Sequence, residues 1–280
     1  MNMIVGIMQG RLSNKNRMPL QSFPWDTWEK EFERANKIGF NQIEWLIDGT
    51  NDEENPIASA KGRNQILFLA KKYKISIRSI CAHNFIDGKL LSDGKSQENE
   101  INKLSKILSW AKEINIDYVI LPVMDGMSIQ NYKAREKLKK ILHKVLVYDK
   151  PKILLESDLQ GIQLKNFVDG CQINNLGVLY DLGNATAMGF DLEKELEILI
   201  PYIDEIHIKD RYLNNGSSTR LGEADTAFDK TIKLLTDLKW NKSLVLETPT
   251  FDDWKIEAES NFCFIKNLFI SENSYQENRS

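Results

Sequence analysis

Short runs of β-branched and aliphatic residues recur along the chain and alternate with longer amphipathic stretches. The runs occupy residues 3–8, 42–47, 75–82, 117–123, 152–157, 176–181, 204–209 and 243–248. Apolar runs of this length are typical of buried strands. In the seventh run, a two-residue period places His207 and Lys209 on one face and Ile206 and Ile208 on the other. One face of this strand therefore packs, and the other meets polar surroundings.

The stretches between these runs carry apolar residues at helical spacing. They occupy residues 25–39, 62–74, 98–115, 131–149, 164–172, 191–202, 225–238 and 253–269. Strand then helix, repeated eight times without a linker rich in proline or glycine, predicts a parallel sheet with crossover helices.

Eight such repeats fit closure into a single (β/α)8 TIM barrel, the α/β fold that we predict for residues 1–270. The polar residues 271–280 are predicted to form a frayed C-terminal tail. The alternative is an open doubly wound sheet, which would be expected to carry a glycine-rich phosphate-binding motif after its first strand. The sequence GIMQGRLS at that point is not such a motif.

The charge balance excludes a strongly basic protein, because 37 Lys and Arg residues against 40 Asp and Glu residues leave a net charge of −3. No nucleic acid and no membrane partner are therefore expected. No apolar run approaches the length of a membrane span, and the apolar start lacks the basic residues of a signal peptide. The three cysteines are far apart and odd in number, which indicates reduced thiols and a cytoplasmic protein.

Four successive predicted strands end in side chains that commonly bind metal ions. These are Glu156, Asp181, His207 and Glu247. The working face of a (β/α)8 barrel lies at the carboxyl ends of its strands, and neighbouring strands are only about 4.8 Å apart, so four such side chains can converge on one ion. Three carboxylates and one imidazole suit Mn²⁺ or Mg²⁺ and tolerate Co²⁺ or Zn²⁺. Taken singly, each of them has an alternative interpretation without a metal ion: the acidic residues as ordinary carboxylates at strand ends, and the histidine as a hydrogen-bonded side chain.

The motifs LLES, YDLGN, HIKD followed by RLGEAD, and VLET resemble the xylose isomerase-like TIM barrels, the sugar phosphate isomerase/epimerase superfamily. They are most similar to the ketose and pentulose-phosphate 3-epimerases, and the resemblance spans residues 3–269. It implies that the four strand-end residues hold one divalent metal ion and that Glu156 and Glu247 are catalytic, moving a substrate proton through an enediolate. It also implies a small-molecule sugar or sugar phosphate as partner, and a homo-oligomer.

Three further residues are predicted to bind the substrate by similarity to this family. Glu44 in QIEWLI is predicted to end the second strand, where similar barrels often bind substrate, although a surface carboxylate is the alternative. His83 follows the third strand in SICAHNF, a region similar to the pentulose-phosphate epimerases. Asn184 stands where epimerases of free sugars often have a histidine, and the resulting sequence LGN favours a phosphorylated or acidic substrate.

Three cationic residues are candidates for binding a phosphate or another acidic group. Lys209 and Arg220 lie near the loop after the seventh strand, where barrel enzymes commonly bind phosphate, and Arg11 follows the first strand. A solvated or structural role is the alternative for each. The arginine that some family members place beyond the metal-binding histidine is not clearly matched, since Arg211 is nearer.

Other functions share the same barrel. An inosose dehydratase-like lyase would use the same metal and carboxylates to expel a hydroxyl group. An enzyme resembling endonuclease IV is less consistent with the sequence, because that family's zinc site needs several histidines and this chain has three in all. A non-catalytic barrel that binds metabolites is a further alternative.

Overall fold

The structure, a computed structural model, describes residues 4–14, 19–147 and 149–277. Its strands are β1 (Ile4–Met8), β2 (Gln42–Ile47), β3 (Ser79–Ala82), β4 (Tyr118–Val123), β5 (Lys152–Ser157), β6 (Leu176–Asp181), β7 (Ile203–Ile208), β8 (Asp210–Arg211), β9 (Ser218–Thr219) and β10 (Ser243–Leu246). Its α-helices are α1 (Trp28–Ile38), α2 (Ala60–Tyr73), α3 (Gly94–Glu113), α4 (Tyr132–Val145), α5 (Gly161–Cys171), α6 (Leu182–Ala187), α7 (Leu192–Leu199), α8 (Phe228–Asp237) and α9 (Trp254–Glu277).

The parallel strands close into a barrel in the order β1-β10-β7-β6-β5-β4-β3-β2. Closure is made by the pairing of β1 with β10, in which Ile4 lies opposite Ser243 and Ile7 opposite Leu246. This confirms the predicted (β/α)8 barrel and excludes the open sheet. None of the helices in the described ranges is long and apolar enough to cross a lipid bilayer.

Several elements differ in their bounds from the sequence prediction, among them β3 and α9. The third strand begins at Ser79 rather than at residue 75, because Ser76 contributes only an isolated bridge to Gln42. Helix α9 continues to Glu277, so residues 271–277, which were expected to fray, are helical. No proline or glycine interrupts this stretch, and residues 278–280 of the expected tail lie outside the described residues.

Helix α6 and the β8–β9 hairpin were not predicted, and both lie at the carboxyl ends of strands. Helix α6 follows β6 directly, and the Asp181 carboxylate accepts a hydrogen bond from Asn184 N at its start. The β8–β9 hairpin follows β7. Its loop is anchored by Asp210, whose carboxylate accepts hydrogen bonds from the backbone amides of Gly222, Ala224 and Thr226. This links the HIKD and RLGEAD motifs physically.

The inside of the barrel is partly apolar and partly polar. Met8, Leu46, Cys81 and Val245 form one small apolar cluster, and Ile120, Leu154 and Leu179 form another. Buried polar side chains fill the space beside them, namely Gln42, Glu44, Ser79, Glu205, His207 and Ser243. Burial of polar groups at this depth is costly unless the groups form hydrogen bonds with one another.

Candidate metal centre

The four predicted metal ligands meet at one end of the barrel. Glu156 lies in β5, Asp181 ends β6, His207 lies in β7, and Glu247 follows β10 by one residue. All four are buried, and each offers one ligand atom within 4.8 Å of the others. Asp181 and His207 are neighbours in the strand register, which brings their side chains to the same level.

The donor set fits a divalent cation. His207 Nδ1 lies 3.0 Å from Glu247 Oε2 and 3.8 Å from Asp181 Oδ2. Asp181 Oδ2 is buried and accepts no hydrogen bond from the described residues, although Lys209 Nζ lies 2.9 Å away. Three carboxylates and one imidazole nitrogen are hard or borderline donors, as Mg²⁺, Mn²⁺ and Zn²⁺ prefer.

Lys209 lies among the ligands. Its ammonium group is 2.9 Å from both Asp181 Oδ2 and Glu247 Oε2, and the side chain is buried. Arg11 Nη2 lies 4.0 Å from Glu247 Oε1, and Gln21 Nε2 donates a hydrogen bond to the same oxygen. These groups offset the repulsion between carboxylates that are packed together away from water.

The two glutamates have opposite protonation tendencies in the metal-free protein. Burial, together with the charges of Glu247 and Asp181, raises the pKa of Glu156 to about 8. Burial also acts to raise the pKa of Glu247, but Lys209, His207 and Arg11 hold that pKa well below its usual range. Such a divergence of two neighbouring carboxyl groups is typical of acid–base sites.

A cavity of about 1030 Å³ opens above the cluster, and several predicted residues line it. Glu156 and Glu247 line it, together with His83, Asn184 and Lys209. Burial lowers the pKa of His83, which favours the neutral ring as a hydrogen-bonding partner for a hydroxyl group. The volume is at the upper end of the range for small-molecule sites.

The other three predicted substrate-binding residues do not line this cavity. β2 continues to Ile47, so Glu44 does not end the strand, and its side chain is fully buried inside the barrel. Arg220 bonds Glu257 and Asp252 outside the cavity. Arg11 is buried and donates to Leu20 O and Gln21 Oε1. Contact of these residues with a substrate stays a prediction.

Arg211 is a cavity residue that the sequence prediction did not include. Its Nη1 donates to Asn184 Oδ1 over 2.7 Å, and Asn184 Nδ2 donates to Glu156 Oε1 over 2.8 Å. Gln21 also lines the cavity. In the sequence, the position of Arg211 four residues after His207 was the feature that could have identified it as a site residue. The structure adds that the chain turns into β8 there, so that the Arg211 side chain reaches back to Asn184.

The family described as the xylose isomerase-like TIM barrel matches residues 32–268. The chain belongs to this family. The matched region contains all four predicted metal ligands, in agreement with the resemblance of their motifs. A comparison with curated protein sequences finds no match.

Solved structures in this fold resemble the chain over nearly its whole length. A D-tagatose 3-epimerase-like protein aligns with a TM-score of 0.74 and 16% identity, covering 98% of this chain and 99% of that one. D-psicose 3-epimerase from Clostridium cellulolyticum H10, solved with D-tagatose, aligns with a TM-score of 0.71 and 14% identity, covering 95% of this chain and 99% of that one. The IOLI protein with a bound zinc atom aligns with a TM-score of 0.72 and 16% identity, covering 98% of this chain and 99% of that one. At these identities the likeness shows the fold.

Proposed function

We propose that this xylose isomerase-like barrel is a divalent-metal-dependent sugar isomerase or epimerase that moves a proton through an enediolate. One observation carries the proposal: Glu156, Asp181, His207 and Glu247 come from consecutive positions around the barrel and offer ligand atoms within 4.8 Å of one another, and Glu156 and Glu247 line one cavity. The names of the similar structures, sugar 3-epimerases and a zinc-binding protein, support the same chemistry for this chain.

The four converging residues would hold the metal ion, with Mn²⁺ or Mg²⁺ favoured by the three carboxylates and Co²⁺ or Zn²⁺ tolerated. When bound, a divalent ion supplies Lewis-acid stabilisation of negative charge that develops on the sugar oxygens. Asp181 and His207 would serve as ligands, whereas Glu156 and Glu247 would serve both as ligands and in proton transfer.

Glu156 and Glu247 would act on a sugar from different sides. β5 and β10 are separated in the barrel by β6 and β7, so the two carboxylates approach the cavity from different directions. For an epimerase, one carboxylate removes the proton from carbon and the other returns a proton on the opposite face. For an aldose–ketose isomerase, the proton moves between neighbouring carbons instead.

The remaining cavity residues would bind and orient the sugar. His83 is available for a substrate hydroxyl group, and Asn184 holds Glu156 in position through its 2.8 Å hydrogen bond. The substrate is a small sugar or sugar phosphate, and a homo-oligomer in the cytoplasm is the proposed context. The free thiols of Cys81, Cys171 and Cys263 are consistent with that compartment.

Metal analysis combined with deuterium exchange tests the proposal. Purified protein is assayed for bound divalent ions, then incubated in D₂O with a panel of ketoses and pentulose phosphates. We expect one bound ion and deuterium at a carbon next to the carbonyl group. The exchange should be lost in Glu247→Gln and retained in Glu100→Gln, whose carboxylate is buried on α3 away from the site. A folded protein that binds no divalent ion would contradict the proposal, and a product that has lost water would indicate the dehydratase.

A further inference from the structure

A second cluster of ionisable side chains lies inside the barrel, next to the four-ligand cluster. Glu44, Glu205 and His207 each offer an atom within 4.8 Å of the others, and all three side chains are fully buried. His207 belongs to both clusters. Glu44 and Glu205 do not line the cavity, so neither reaches a molecule bound there without a rearrangement of the floor.

The two ring nitrogens of His207 face different partners. Nδ1 faces the metal centre, 3.0 Å from Glu247 Oε2. Nε2 faces the barrel interior, where the two carboxylate oxygens of Glu44 lie 3.1 and 3.2 Å away. A metal-binding nitrogen and a hydrogen-bonded nitrogen on one ring are the usual arrangement of a histidine ligand, because the second bond fixes the tautomer.

The Glu44 carboxylate is itself held in place by a chain of buried hydrogen bonds. Ser79 Oγ donates to Glu44 Oε2 over 3.1 Å. Gln42 Nε2 bonds Ser79 Oγ at 3.2 Å and Glu205 Oε2 at 2.8 Å, and Ser243 Oγ donates to Gln42 Oε1 over 2.8 Å. These residues come from β2, β3, β7 and β10, so the barrel itself sets the position of Glu44.

We infer that Glu44 is a positioning residue of the metal centre and makes no contact with substrate. It holds the proton of His207 on Nε2 and thereby presents the lone pair of Nδ1 to the metal ion. The inference rests on the proposed metal site. It assigns to Glu44 a role on His207 in place of the substrate contact predicted from sequence.

Glu205 provides a matched control. It is as fully buried as Glu44 and lies in the same polar cluster, but the hydrogen bond to His207 Nε2 is made by Glu44. Replacement of either carboxylate by its amide removes one buried acidic group from the same layer. Among the described residues, hydrogen bonds link Glu205 to the ring only through Glu44 and Gln42, so Glu205→Gln should change the ligand ring much less than Glu44→Ala, which removes the acceptor of Nε2 itself.

The test measures Zn²⁺ affinity by competition with a chelator and the hydrogen bond of the His207 Nε2–H proton by ¹H–¹⁵N NMR of the Zn²⁺-loaded protein. We expect a downfield-shifted, slowly exchanging Nε2–H proton in the wild type and in Glu205→Gln. Glu44→Ala should weaken Zn²⁺ binding by about 10- to 100-fold and lose both the downfield shift and the slow exchange. Glu44→Gln, which keeps an acceptor and nearly the same shape, should retain the hydrogen bond with a smaller downfield shift and show a smaller loss of affinity.

Each outcome bears on the inference separately from the proposed function. Wild-type affinity and a wild-type Nε2–H signal in folded Glu44→Gln and Glu44→Ala would overturn the inference and leave the metal site intact. A rise in the sugar KM with unchanged Zn²⁺ affinity would assign Glu44 to substrate binding, which also overturns it. Absence of Zn²⁺ binding by the folded wild type would overturn both. If Glu44→Ala does not fold, the Zn²⁺ affinity and the Nε2–H shift of Glu44→Gln, measured against those of Glu205→Gln, decide the question.

Discussion

Asn184 donates a 2.8 Å hydrogen bond from its side-chain amide to Glu156 Oε1, one of the two proposed proton-transfer groups. Arg211 Nη1 in turn donates to Asn184 Oδ1 over 2.7 Å. The amide is therefore fixed with its NH₂ group toward Glu156. A chain of two hydrogen bonds thus connects the loop after β7 to the floor of the cavity.

Asn184→Ala should lower kcat by about 10- to 100-fold, because a hydrogen bond to a charged or partly charged carboxyl group contributes about 1.5–3 kcal/mol. Arg211→Ala should act in the same direction with a smaller effect, since it only releases the amide. The measurement is the rate of deuterium exchange at saturating ketose. An unchanged kcat in Asn184→Ala would show that Glu156 does not depend on this bond.

Lys209→Met should destabilise the metal-free protein, because it removes the buried ammonium that lies 2.9 Å from both Asp181 and Glu247. Removal of one partner of a buried ion pair costs about 3–5 kcal/mol. Added Mn²⁺ should restore more of the melting temperature in this variant than it adds to the wild type. Thermal unfolding with EDTA and with Mn²⁺ measures both effects. Lys233→Met, at an exposed ion pair with Asp237, is the control, and equal shifts in the two variants would contradict this role of Lys209.

The pH dependence of stability should report on Glu205. Burial and the neighbouring Glu44 raise the pKa of Glu205 from 4.5 to about 8 in the folded protein. The folded state therefore holds this proton more tightly than the unfolded state, and the free energy of unfolding falls as the pH rises from about 4.5 through about 8. Glu205→Gln lacks this group, so its free energy of unfolding should fall less between pH 6 and pH 9 than that of the wild type. Urea unfolding in EDTA at both pH values measures it, and parallel pH profiles for the two proteins would refute it.

Asp210→Ala should loosen the loop after β7. The Asp210 carboxylate accepts bonds of 2.8 Å from Gly222 N, 3.0 Å from Ala224 N and 3.1 Å from Thr226 N. Without it, three backbone amides lose their partner. Faster hydrogen exchange in residues 212–226 is expected, with little change in β1–β4.

Gly222→Ala should have a similar local effect, because its φ of +86° disfavours a side chain and an added Cβ would lie 2.9 Å from the Phe264 ring. Wild-type exchange in this loop would contradict the anchoring role.

The sequence by itself determined the repeated strand–helix units and the set of candidate metal ligands. Both depend on local spacing: apolar alternation within each strand, and one ligand near the carboxyl end of each of four successive strands. Parallel strands in a closed barrel expose those ends on one face, so positions such as Asp181 and His207 are brought together by any fold with this element order.

Only the tertiary structure decided which buried polar groups face the cavity and which face the barrel interior. Glu44 and Glu156 are both acidic residues in barrel strands, but Glu44 is the third residue of β2 and pairs with Met8, which sets it below the cavity floor. Arg211 reaches Asn184 because the chain turns into the β8–β9 hairpin. Depth inside a barrel depends on the stagger between strands far apart in sequence, and local residue periodicity does not encode that stagger.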